Sequence, residues 1–108
     1  MYFPVSAVLT EFLILAILDS NDSYGYEISQ TIKLIANIKE STLYPILKRL
    51  VQNDYLTTYD QDYNGRRRRY YSLTDSGREQ LTVRKAEWKL YTKTIDGIIE
   101  GSIRHDKN

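Results

Sequence analysis

The chain has 108 residues, no cysteine, one histidine and a formal net charge of +1. That length makes one domain with a modest core, and the missing cysteine excludes disulfides and thiolate metal sites. Charge is unevenly spread: residues 1–32 hold four acids and no Lys or Arg, while residues 33–108 hold the other ten acids and all fifteen basic residues. A near-neutral chain with a basic stretch is suited to local contacts with an anionic partner.

The first predicted helix runs from Val5 to Ser20. Val5, Val8, Leu9, Phe12, Leu13, Ala16 and Ile17 form a stripe, but Ile14, Leu15 and Leu18 make the middle apolar all round. Such a helix is buried on more than one side, either inside its own domain or against another subunit. Its longest strictly apolar run, Phe12–Leu18, is too short to span a bilayer. No Lys or Arg precedes Lys33, so the basic region of a signal peptide is missing. The expectation is a cytoplasmic chain with no membrane partner.

Asn21-Asp22-Ser23 reads as a turn and cap cluster opening a second helix over Tyr24–Asn37, with Tyr24, Ile28, Ile32 and Ile35 inward. Gly25 in its first turn is a weak helix former, tolerated where the backbone comes close to another helix or to DNA. The third helix is STLYPILKRLVQND, Ser41–Asp54, with Ser41 as the expected N-cap. Leu43, Ile46, Leu47, Leu50 and Val51 recur at helical spacing, and Ser41, Thr42, Tyr44, Lys48, Arg49 and Gln52 occupy the opposite face. Those short hydroxyls, a phenol, an amide and two cations all hydrogen-bond to base edges or phosphates. Taken alone, Lys48 and Arg49 read more readily as solvated surface charges than as contacts.

Tyr55-Leu56-Thr57-Thr58-Tyr59 is β-type, and Asn64-Gly65 is a hairpin turn before Arg66-Arg67-Arg68-Arg69-Tyr70-Tyr71-Ser72-Leu73. Strand alternation puts Arg69, Tyr71 and Leu73 on one face and Arg68, Tyr70 and Ser72 on the other, with Arg66 and Arg67 delivered outward at the tip. Four consecutive arginines repel one another without an anionic partner, and arginine suits bidentate phosphate contact. A helix followed by an arginine-loaded hairpin is the pattern of a winged helix-turn-helix, with the helix in the major groove and the wing on the flanking backbone.

Thr74 caps a last helix, Asp75–Glu100. Leu81, Arg84, Trp88, Tyr91, Ile95 and Ile98 follow a seven-residue a/d pattern broken only at Arg84. The fold class expected is mainly α (α+β winged helix): a three-helix helix-turn-helix core, a two-stranded wing and a long C-terminal helix. Residues 1–73 form the DNA-binding unit, 74–102 the dimerisation helix and 103–108 a flexible tail. Phe12, Leu81, Trp88, Tyr91, Ile95 and Ile98 are the expected dimer contacts.

STLYPILKRL, NGRRRRYYSLTDSG and the earlier SYGYEI together resemble the PadR family of bacterial transcriptional regulators over Leu9–Ile99. The resemblance implies a homodimeric repressor bound to double-stranded DNA at an inverted repeat, with Ser41, Thr42, Tyr44, Lys48, Arg49, Arg66, Arg67 and Arg68 at the DNA. It places the tyrosine of the LYP motif, Tyr44, at the groove. It also implies that Trp88, with Tyr91, lines a cavity between subunits that stacks a small planar aromatic effector; a tryptophan at an a position is equally a packing anchor. Two positions depart from the family: Asp54 stands where a helix-ending glycine is usual, and Lys39 where a capping Ser or Asn is common. No catalytic constellation, cofactor motif or His/Cys metal site is visible, so no enzyme is expected. The alternative is a winged-helix protein-interaction module without an operator.

Overall fold

A computed structural model describes residues 4–105. In chain order it contains α1 (Ala7–Ser20), β1 (Ser23–Tyr24), α2 (Gly25–Ile32), α3 (Glu40–Gln52), β2 (Leu56–Tyr63), β3 (Arg66–Leu73) and α4 (Asp75–Ile99). This is the expected winged-helix fold, with one addition to the wing. The sheet has three antiparallel strands in the order β1-β3-β2, because Ser23 pairs with Tyr71 and Tyr24 with Tyr70.

α1 is the central helix. Ser6 rather than a residue before Val5 starts it, its hydroxyl accepting from the Leu9 amide at 3.1 Å. Ile14, Leu15 and Leu18 are buried, and the helix is flanked by α2, α3, β3 and α4. The domain's own elements therefore cover most of the all-round apolar middle, and only the N-terminal end keeps an open apolar side, where Val8 is 66% exposed.

α2 is shorter than the stripe suggested. It stops at Ile32, and the chain tightens into turns closed by Leu34 N–H to the Thr31 carbonyl and Ile35 N–H to the Ile32 carbonyl. Ile28 and Ile32 reach the core as expected, whereas Ile35 lies beyond the helix and is exposed. Ser23, expected in a cap cluster, is a strand residue, and Tyr24 is the N-cap. Ser23 donates to Glu27, so the hydroxyl still ties the helix start to its first-turn acid.

α3 begins one residue before Ser41, with Lys39 as an N-cap that makes no side-chain cap bond. Pro45 falls inside the helix without ending it. Leu43, Ile46, Leu47 and Leu50 are buried, so the facing read from the sequence holds. Asp54 takes φ +62°, the left-handed conformation that ends the helix, as expected of an Asp standing in for glycine. Asn64 (φ +50°) and Gly65 (φ +77°) form the two-residue hairpin turn, with both central residues left-handed.

α4 is capped by Thr74, whose hydroxyl accepts from Gly77 N–H at 2.9 Å and donates to the Asp54 carbonyl at 2.6 Å. Its 25 residues give a rod about 37 Å long at 1.5 Å per residue. Its first half packs on the body, reaching Phe12 of α1 through Trp88, and the molecule measures 67 × 32 × 21 Å. Gly101 at φ +78° turns the chain back so that Ser102 and Ile103 bond to the Gly97 carbonyl. The start of the expected flexible tail is thus a helix-ending turn; 106–108 lie outside the described residues. Among the described residues, no helix is long and apolar enough to cross a membrane.

Candidate nucleic-acid interface

The exposed side of α3 presents Ser41, Thr42, Tyr44, Lys48 and Arg49 to solvent. They are not equivalent. Arg49 Nε lies 3.6 Å from Glu11 Oε1, an acid whose side chain is only 13% exposed, so Arg49 also tethers α3 to α1. Tyr44 is 45% exposed and comes close to Gly25 at the start of α2. A Cβ on Gly25 would sit 2.7 Å from the Tyr44 hydroxyl and 2.9 Å from its ring. The close approach that Gly25 allows is therefore to another helix's side chain.

The hairpin register, with Tyr63 opposite Arg66 and Leu56 opposite Leu73, sorts the wing into two faces. The inner face, continuous with buried Leu56, Tyr71 and Leu73, carries Asp60, Asp62, Arg67 and Arg69 towards the tip. Asp60 joins both arginines: its Oδ2 is 3.3 Å from Arg67 Nε and its Oδ1 is 3.5 Å from Arg69 Nε. The anionic partner required by the arginine run is supplied first by the chain itself. At the root of this face, burial pushes the Tyr71 phenol above its usual value; the nearby Tyr44 adds to this and Arg69 opposes it.

The outer face is aromatic. Tyr59 and Tyr70 stack at 5.5 Å between centroids, and Tyr24 meets Tyr70 edge-on at 5.5 Å. Arg68 is sandwiched within this cluster, its guanidinium carbon 4.4 Å from the Tyr24 centroid and 4.3 Å from that of Tyr63. Tyr59 donates to Asp22 at 2.8 Å, and that bond holds its phenol above the usual value. Arg66 and Arg67, expected to leave the tip together, thus lie on opposite faces. Arg66 is exposed and has no ion pair among the described residues.

Reading types and spacing missed Asp60, Arg69, Glu11 and the tyrosine sandwich. A signal for the first two was available: acids two apart before the turn and arginines two apart after it pair automatically once Asn64-Gly65 fixes the register.

α1 and α4 bound a groove of about 850 Å³ whose lining includes Val8, Phe12, Val83, Trp88 and Tyr91. Phe12 and Trp88 are 6.0 Å apart at their centroids, and Trp88 and Tyr91 are 5.9 Å apart. Leu81 is buried within the chain, Ile95 is half-buried, and Trp88, Tyr91 and Ile98 are exposed. Arg84, the break in the heptad, reaches the Val8 carbonyl at 3.5 Å. The polar interruption is spent on fastening α4 to α1.

Three helices with a wing, a hydrogen-bonding helix face and an arginine hairpin define a winged-helix regulator. Known proteins agree with that class. The model of the transcriptional regulator PadR-like family matches residues 14–83. The chain is similar to smu.1704 of Streptococcus mutans UA159, whose crystal structure gives a TM-score of 0.93 at 66% identity, covering 98% of this chain and 100% of that one. A PadR family transcription regulator of Clostridium difficile R20291 gives 0.78 at 33% identity, covering 83% of this chain and 97% of that one. Bacillus subtilis PadR, solved in complex with operator DNA, shares the fold with a TM-score of 0.64 at 24% identity, over 95% of this chain and 51% of that one. The chain belongs to the PadR-like family of transcriptional regulators. That family and its solved members are regulators, not enzymes.

Proposed function

We propose that the protein is a homodimeric repressor that binds an inverted-repeat operator, with α3 in the major groove and the wing on the flanking phosphates. The observation that carries this is an exposed hydrogen-bonding face on α3 followed directly by an arginine-bearing hairpin. Ser41, Thr42, Tyr44 and Lys48 lie exposed on α3, and Arg66, Arg67 and Arg69 lie exposed on the wing that follows it. Arg66 adds a cation at the tip with no ion pair among the described residues, and Arg49 is a backbone contact only to the extent that Glu11 releases it. Arg68, held between two rings, stiffens the wing from its outer face rather than touching phosphate. Operator DNA is the ligand of the Bacillus subtilis relative, which supports the same partner here.

Pairing is supported by α4. Beyond Leu81 it carries Trp88, Leu90, Tyr91, Ile98 and Ile99 largely exposed, more apolar surface than a solvated helix needs. A twofold dimer through this helix sets two copies of α3 about 34 Å apart, one turn of duplex. The three-ring groove of Phe12, Trp88 and Tyr91 would then lie at the dimer seam, where it suits a planar aromatic effector. The test of the DNA reading is a mobility shift with the protein's own upstream region at two salt concentrations. A complex that weakens steeply with salt is expected; no complex at either salt overturns the reading. For the effector, planar aromatic compounds should quench Trp88 fluorescence and lower operator affinity together, while Trp88→Ala keeps the dimer. Loss of the dimer in that variant would make Trp88 a packing anchor.

A further inference from the structure

The wing's arginines are not free to bind any phosphate equally. Asp60 takes the Nε of Arg67 with one oxygen and the Nε of Arg69 with the other. The arginine side chains are 75% and 66% exposed, so their terminal amines still face solvent, while the Asp60 side chain is 33% exposed. One carboxylate thus sets the spacing and direction of two guanidinium forks and cancels part of their charge. Asp62, two residues on and on the same face, is opposite Arg67 in register but makes no ion pair among the described residues. Arg68 cannot substitute, because its guanidinium is committed to the Tyr24 and Tyr63 rings on the other face.

We propose that Asp60 is a specificity-determining residue: it holds Arg67 and Arg69 as a paired, partly neutralised phosphate fork that grips the duplex strongly only where the backbone lies in register with both. On an operator, α3 fixes that register through its base contacts, and the two forks meet phosphates in the geometry that Asp60 has set. On unrelated sequence the register wanders, and the carboxylate repels whatever phosphate comes near. The inference rests on the DNA-binding reading above. It adds that an acid in the wing discriminates against nonspecific DNA, a role opposite to that of the cations around it.

The experiment compares Asp60→Asn with Asp62→Asn, which change the net charge identically on the same strand face. Binding of the full-length proteins is measured by fluorescence anisotropy against the footprinted upstream fragment and against a scrambled duplex, across a salt series. Asp60→Asn is expected to raise scrambled-duplex affinity by up to about eightfold at 0.1 M salt and to steepen its salt slope by about one, the effect of one additional phosphate contact. Operator affinity should rise less, so the specificity ratio falls. Adding Arg67→Gln and Arg69→Gln should abolish the gain, and Asp62→Asn should produce less than half of it. Equal effects of the two aspartate variants, or an unchanged ratio in Asp60→Asn, overturn the proposal and leave DNA binding standing. Failure of wild type and variants to bind either duplex overturns both. The ion pair is on the surface of the hairpin, so matching melting temperatures exclude misfolding as the cause.

Discussion

α3 and α4 are both amphipathic helices with a long exposed side, and the two sides ask for different partners. That of α3 is lined by hydroxyls, a phenol and cations that would lose hydration if buried against protein without specific acceptors. That of α4 is lined by Trp88, Tyr91, Ile98 and Ile99, which gain by leaving water. The comparison teaches that exposure alone does not mark a functional surface; the chemistry of what is exposed decides what covers it. It also explains why the body between them is so economical. α1 packs against both helices, joined to α3 through Glu11–Arg49 and to α4 through the Val8 carbonyl and Arg84.

The largest expected effect breaks the α4 side. Truncation before Arg84 removes Trp88, Tyr91, Ile95 and Ile98 together with the Arg84 tether, and should leave a monomer that aggregates through the α1 groove and protects no palindrome. Sedimentation velocity checks this; a well-behaved dimer after truncation would place the interface elsewhere. Next comes the α3 side. Tyr44→Ala should lower operator affinity by roughly 1–3 kcal/mol, the range for a lost groove contact. Its thermal midpoint should change little, since the ring is 45% exposed. Unfolding on this change would make Tyr44 a core residue.

Arg66→Ala should flatten the slope of log K against log salt by about one unit for specific and nonspecific duplex alike. An unchanged slope would remove Arg66 from the phosphate contacts. Gly25→Ala sharpens the comparison further. The new methyl meets the movable end of Tyr44, not backbone, so it should tilt the phenol and weaken operator binding by less than Tyr44→Ala does, with no loss of melting temperature. Loss of folding instead would show that the phenol cannot yield.

The smallest effect is at alkaline pH. Tyr59 and Tyr71 both have phenols held above their usual value, so their stabilising contribution is complete below the unfolded tyrosine value, near 10, and is lost as pH rises through the folded one. The melting temperature should fall above about pH 10, and Tyr71→Phe should reduce that fall. A fall of the same size in the variant would assign it to other groups.

How far the fold could be read from the sequence differed between elements for physical reasons. α3 was legible because Leu43, Ile46, Leu47 and Leu50 repeat at helical spacing against a polar face, and the turn because Asn64-Gly65 tolerates left-handed backbone. β1 was not: two residues cannot show alternation, and their partners, Tyr70 and Tyr71, are distant in sequence. α2 was overextended because Leu34 and Ile35 continue an apolar pattern after the backbone has left the helix. At the interface, residue types revealed the arginine run, but only the register revealed that Asp60 holds two of its members and that Arg68 is turned into the tyrosines. A charge run shows how many cations there are; pairing across the hairpin decides which are available.

The most direct test of the proposal that the protein reads DNA on one side and pairs on the other is a hydroxyl-radical footprint of the intact protein on its upstream region. Two matched protections on one face of the duplex are expected, with centres about 34 Å apart and lost together when Tyr44 is replaced by Ala. A single protection, or two with no fixed spacing, would contradict it.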